Sequence, residues 1–191
     1  MTPPARRADA ERSIAAILDA ALDALTADPD TSMAEIARRA GVVRATIYVH
    51  FPTREALVAA VTERAMSEAT EALATAAPDE GDPREALART LSASWRTLGR
   101  YHALVTLNTR LGAEHMRALH QPVARRIRPL LSRGRADGSF NADLPIDWMI
   151  TVLLELIHTA SREVTAGRLP EAKAERALIA SVTGALSAAS R

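Results

Sequence analysis

Between Met33 and Pro52 three residues of different type stand at spacings that suit one arrangement. Ala37, Gly41 and Ile47 are four and six residues apart. Two short helices that cross closely need a small residue at the first place. They need a backbone of positive φ in the turn at the second, and an aliphatic side chain buried between them at the third. Ile36 and Val42 offer the neighbouring apolar contacts. From Ile36 to Arg54 the chain has no acid, yet it holds Arg38, Arg39, Arg44, His50 and Arg54. A helix-turn-helix with concentrated positive charge has the chemistry of a duplex contact, because arginine meets phosphate and the second helix meets base edges. The wider count runs the other way. Residues 1–56 carry seven arginines against eight acids, a net of −1. Those acids lie mainly in the first helix and the Asp28–Asp30 loop, away from the short third helix. A charge run alone reads as a solvated face. With the three turn residues and the capping box Ser32-x-x-Glu35 in register, DNA binding is the stronger reading.

The remaining constellations point away from catalysis. Glu155-x-x-His158 puts a carboxylate and an imidazole on one helical face, but a di-iron bundle needs two such pairs and the sequence has one. A polar pair at a dimer seam or in a pocket is the expected role. His102, His115 and His120 lack metal-ligand spacing, since residues five apart diverge around a helix. Cysteine is absent, which excludes disulfides, thiolate zinc sites and thiol catalysis. No nucleophile elbow, P-loop, zinc-protease or dinucleotide motif occurs. The expectation is no enzyme, no cofactor and no metal. A second acid-free stretch, with Arg117, Arg125, Arg126, Arg128, Arg133 and Arg135, reads first as a solvated face; an anionic ligand or a partner is the alternative.

The elements that position these residues are helices. Of the 191 residues, 48% are hydrophobic but only 3% aromatic, and glycine numbers 8. That composition favours an all-α chain of one to one and a half domains. Residues 1–8 read as a short basic arm without the apolar core of a signal peptide. Leu18, Ala21, Leu22 and Leu25 mark one face of a first helix. A second ends near Ala40 and a third near Phe51, before Pro52. Thr53 caps a fourth, which runs to about Ala77. Helices follow over 84–99, 101–110, 114–136, from Pro145 to Ala166, and from Glu171 to about Ala189. The most apolar stretch, Trp148 to Ile157, is too short to span a bilayer and contains Glu155. A soluble, cytoplasmic protein with no membrane contact is expected.

The run Thr31-Ser-Met-Ala-Glu-Ile-Ala-Arg-Arg-Ala-Gly-Val42, followed by Thr46-Ile-Tyr-Val-His-Phe-Pro-Thr-Arg-Glu-Ala-Leu57, resembles the DNA-binding domain of TetR-family regulators. The close resemblance covers roughly residues 10–60. The C-terminal part resembles the family only in helix lengths, in an Ala-Asp-Gly turn before the penultimate helix, and in two apolar terminal helices. The resemblance implies that Thr31 and Ser32 cap helix two and touch phosphate. It implies that Arg44, Ala45 and Thr46 face base edges, that Tyr48 and His50 contact phosphate or base, and that Arg54 meets phosphate. Tyr48 as core filler is the alternative. Val43 departs from the family, which often has a polar residue there; either a phosphate contact is lost or Val43 meets a thymine methyl. Arg44 beside it suits guanine.

The expected organisation is an arm over 1–8, a helix-turn-helix domain over 9–56, and a helical bundle for ligand binding and dimerisation over 57–191. Trp95, Leu98, His102, Leu104, Leu107, Asn108, Met116, Trp148, Met149 and Glu155 are candidates for a ligand pocket, most of them also readable as core. Leu153, Leu154, Ile157 and His158, with the small residues Ala177, Ser181, Gly184 and Ala185, are candidates for a dimer seam between the last two helices. The reading is a dimeric regulator, most often a repressor, that leaves a palindromic operator when a small-molecule effector binds. A helical-bundle enzyme is one rival. A ligand-binding or scaffold protein that has lost DNA binding, supported by Val43 alone, is another.

Overall fold

The computed structural model describes residues 4–102 and 113–188. The described residues contain helices and no strand, apart from an isolated bridge between Phe140 and Ser187. The all-α expectation holds. The chain divides into two compact units, Met1–Arg64 and Ala65–Arg191. Helix α4 (Arg54–Thr75) runs without a break across residues 64 and 65, where the two units meet in sequence.

The first unit begins with α1 (Pro4–Ala27). The arm expected over 1–8 is therefore helical from Pro4 onward. Proline suits the first turn, where its fixed φ is helical and its missing N–H would have had no partner. The buried face of α1 is Ile17, Ala21, Leu22, Ala24 and Leu25, while Leu18 is half-buried. Helix α2 (Met33–Arg39) starts at the N-cap Ser32, whose hydroxyl accepts from the Glu35 N–H at 3.2 Å. The reciprocal half of the capping box is not formed. The Glu35 carboxylate instead accepts from Arg38 at 2.7 and 2.8 Å and from Arg39 at 2.8 Å.

Gly41 ends α2 with φ +69°. Its N–H reaches the Arg38 carbonyl at 3.2 Å, and the Val42 N–H reaches that of Ala37 at 3.0 Å. This is the two-bond closure of a helix ending in a left-handed residue. Helix α3 (Arg44–His50) follows and is stopped before Pro52. Thr53 then caps α4 by accepting from the Ala56 N–H at 3.1 Å. Ile36, Ala37, Ile47, Phe51, Leu57 and Val61 are buried, as the spacing of the turn residues requires. Truncation of one of the large ones to alanine costs about 2–5 kcal/mol.

The second unit holds the end of α4, α5 (Pro83–Leu98), a 3₁₀ turn (Gly99–Tyr101), α6 (Ala113–Ala136), α7 (Ile146–Thr165) and α8 (Glu171–Leu186). Asp82 caps α5, accepting from the N–H groups of Arg84 and Glu85 at 2.9 and 3.1 Å. Helix α8 packs on α5 and α7, and α6 on the same two. The core contains Leu87, Leu91 and Trp95 of α5 and Leu130 and Leu131 of α6. It also contains Met149, Leu153 and Ile157 of α7, Leu178 and Val182 of α8, and Phe140. Phe140 lies over Gly134, where an added Cβ would stand 2.2 Å from the ring.

The second basic stretch is partly structural. Arg133 donates to the carbonyls of Gly81 and Pro78 at 2.8 and 3.0 Å, Arg135 to that of Ala142, and Arg128 pairs with Asp147. Arg125 and Arg126 stand exposed. No helix among the described residues is long and apolar enough to cross a membrane.

Candidate functional site

Helix α3 turns Ile47 inward and leaves Arg44, Ala45, Tyr48 and Val49 outward. This follows from the helical period, since a seven-residue helix with one buried anchor must show its other side to solvent. Four large hydrophobic side chains among the described residues stand exposed. Three belong to α3 and its N-cap: Val43 at 71%, Tyr48 at 39% and Val49 at 76%. Tyr48 is thus surface rather than core filler. The Arg44 guanidinium carbon lies 5.7 Å from the centre of the Tyr48 ring, within range of a cation–π contact. Thr46 and His50 are half-buried on the flanks. Val49 was not singled out in the sequence, although it stands four residues after Ala45 and must share its face.

Two of the expected phosphate contacts are otherwise engaged. Thr31 is only 6% exposed. Its hydroxyl donates to the Asp28 carbonyl at 2.8 Å, with the Ala24 carbonyl at 3.3 Å. Thr31 therefore fastens the loop after α1 rather than facing outward, and Ser32 alone caps α2. The cause is local: the Asp28–Asp30 turn folds back and brings the hydroxyl over its own loop. The Arg54 guanidinium donates to the Pro29 carbonyl, so this arginine also ties the loop to α4. Arg38 and Arg39 share Glu35, whose carboxyl they hold down to about 2, chiefly through the two side-chain hydrogen bonds. Among the helix-turn-helix arginines, Arg44 is placed on the outward face of α3.

In the second unit the structure separates the pocket candidates. Trp95 and Met149 are fully inside, and Leu98 packs at the edge of the core. His102 is buried against Trp95, with ring centres 4.4 Å apart. Among the described residues, neither ring nitrogen of His102, nor Trp95 Nε1, has a hydrogen-bond partner. Burial lowers the His102 pKa, and the nearby Glu171 opposes this. Trp148 is 56% exposed and Glu155 is exposed. Neither lines an enclosed site here, because α7 turns the neighbouring Met149, Ile150 and Leu153 inward. Leu104, Leu107 and Asn108 lie outside the described residues, as do the side chains of His115 and Met116.

The seam candidates divide in the same way. Leu153 and Ile157 are part of this unit's own core, so they are not free for a second chain. Leu154 and His158 are half-buried, and Ala177, Ser181, Gly184 and Ala185 form an outward stripe on α8. His158 Nδ1 lies 4.0 Å from the Glu155 carboxylate. Its Nε2 meets that of His120 at 3.2 Å, a contact that no spacing in the chain suggests. No group of three or more metal-ligating side chains occurs among the described residues.

The first unit is a helix-turn-helix whose second helix shows Arg44, Ala45, Tyr48 and Val49 to solvent, and the second is a helical bundle. Residues 17–61 match the family model of bacterial regulatory proteins of the tetR family. No curated protein matches. Solved structures share the fold. The TetR-like regulator LfrR from Mycobacterium smegmatis, in complex with proflavine, is 24% identical, with 92% of this chain and 97% of that one covered and a TM-score of 0.72. The TetR-family regulator PfmR from Thermus thermophilus is 23% identical, with 92% and 96% covered and a TM-score of 0.70. The fatty acid degradation regulator FadR from Bacillus halodurans is 17% identical, with 89% and 94% covered and a TM-score of 0.74.

Proposed function

We propose that the protein is a dimeric, ligand-responsive transcription regulator. It acts as a repressor that binds a palindromic operator through α3 and leaves it when a small molecule binds the second unit. The observation that carries the reading is the α3 face. Arg44 and Tyr48 stand beside Ala45 and Val49, outward, on the second helix of a tetR-family helix-turn-helix. Arginine can take guanine by two hydrogen bonds in the major groove, which is wide enough for a helix. Ser32, Val43, Thr46 and His50 flank this surface; Thr31 and Arg54 support it through the loop.

A dimer supplies what one short helix lacks. Two copies related by a two-fold axis place their reading helices one turn of DNA apart, about 34–36 Å. The outward stripe of Ala177, Ser181, Gly184 and Ala185 suits a close helix contact between copies, and Leu154 and His158 lie half-buried on the neighbouring helix. For the effector, support comes from LfrR, solved with proflavine. It comes also from the polar atoms of Trp95 and His102, unpartnered among the described residues, since a buried donor without a partner costs about 1–3 kcal/mol that a ligand can recover. Helix α4 begins in one unit and ends in the other, so a ligand that favours a different setting of α4 changes the spacing of the reading helices.

Selection of a random duplex pool with the full-length chain tests this. An inverted repeat should enrich, and it should fail to enrich with Arg44→Ala. A pool that stays random with the wild-type chain contradicts the proposal.

A further inference from the structure

Val49 presents a problem that the general reading does not solve. It is a branched apolar side chain, 76% exposed on a seven-residue helix, and it has no donor or acceptor to offer a base or a phosphate. Val43, at the N-cap of the same helix, is 71% exposed. Residues four apart lie one above the other on a helix. Ala45 and Val49 therefore form one line along α3, and Arg44 and Tyr48 form another beside it. The charge is confined to the second line, where the Arg44 guanidinium sits over the Tyr48 ring at 5.7 Å. No acid occurs between Ile36 and Arg54, so nothing on α3 repels a polyanion.

An apolar line beside an arginine has one complement in duplex DNA. In the major groove the thymine C5-methyl is the apolar group, and guanine offers the paired acceptors that arginine takes. We propose that Val49, with Ala45 below it and Val43 at the start of the helix, reads thymine methyl groups, so that each operator half-site carries thymine beside the guanine taken by Arg44. This rests on the DNA-binding reading above and adds to it a specificity residue and a base preference. The arginine line commits the face to DNA rather than to an apolar groove of another protein.

The test uses the duplex enriched by the full-length chain. Each thymine of a half-site is replaced in turn by uracil, which removes the methyl and keeps the pairing. Burial of one methyl-sized group is worth about fourfold in Kd. At one or two positions per half-site uracil should weaken binding by about that factor. Val49→Ala should weaken binding to the thymine duplex by a similar factor and leave the uracil duplex at that position unaffected, because the partner is already gone. Val49 is exposed, so the variant keeps the fold. Uracil tolerated at every position, or an equal loss for Val49→Ala on both duplexes, overturns the inference while duplex binding stands. A pool with no enriched duplex overturns it together with the DNA-binding reading. A change of sedimenting mass in Val49→Ala, with duplex affinity unaltered, assigns the face to a protein contact and likewise overturns it.

Discussion

The Nε2 atoms of His120 and His158 lie 3.2 Å apart, with their rings edge to face. Two neutral imidazoles satisfy each other there as donor and acceptor. Two imidazolium ions would repel. Burial first, and then the proximity of His120, lower the His158 pKa to about 4; Arg162 acts in the same direction and Glu155 against it.

The consequence is a stability that depends on pH. In the unfolded chain His158 binds its proton near its ordinary value of 6.5, whereas in the folded chain it does so only near 4. Between those values the unfolded state holds more protons, so stability rises with pH across the window and is lost as pH falls through it. The loss is on the order of 2–3 kcal/mol. His158→Gln should flatten the slope in urea unfolding between pH 4.5 and 7.5. It should not abolish the slope, because burial lowers His102 as well. An unchanged slope in the variant would contradict this account of the pair.

Gly134→Ala should destabilise the second unit. The added methyl would meet the Phe140 ring at 2.2 Å, on atoms fixed in the core. Overpacking of this kind costs about 1–3 kcal/mol or more. Thermal unfolding reads it directly, with Gly138→Ala a poor substitute because its φ of +82° adds backbone strain. A Gly134→Ala chain as stable as wild type would mean that Phe140 has room to move.

The helix-turn-helix was legible because its demands are local. Ala37, Gly41 and Ile47 each answer a requirement set within a few residues, and all three behave as their types imply. The second unit was less legible. Helical period shows that α7 is apolar on more than one stripe, but not which stripe is covered by the chain itself. Leu153 and Ile157 therefore looked like seam residues and are core. Trp148 looked enclosed and is exposed. His120 and His158 are brought together by the packing of α6 on α7, across 38 residues of sequence, and no local pattern announces such a contact. For Thr31 the family resemblance implied a cap and a phosphate contact, and the turn at Asp28 took the hydroxyl instead.

Substitutions on α7 and α8 should separate core from seam. Leu153→Glu buries a charge in the core and should unfold the second unit. At Gly184 a Cβ would meet nothing within 4 Å. Gly184→Glu should therefore keep the fold and halve the sedimenting mass at micromolar concentration. A wild-type chain that sediments as a monomer would contradict the dimer.

Arg44 and Arg54 should differ in how they fail. Arg44 is outward on α3, so Arg44→Ala should cost about 1–3 kcal/mol on the selected duplex and much less on scrambled DNA. Arg54 holds the Pro29 carbonyl, so Arg54→Ala should weaken both alike, with a small loss of thermal stability. Fluorescence anisotropy on the two duplexes decides. A selective loss in Arg54→Ala would reverse the two roles.

The most direct test of the central claim is the salt dependence of duplex binding by the full-length chain, measured on the enriched inverted repeat and on a scrambled duplex of equal length. Each phosphate neutralised contributes about −0.9 to the slope of log K against log salt. The expected result is a negative slope of several units on both duplexes, with the inverted repeat bound at least about a thousandfold tighter throughout. Affinity that is independent of salt, or equal for the two duplexes, would contradict a sequence-reading role for α3.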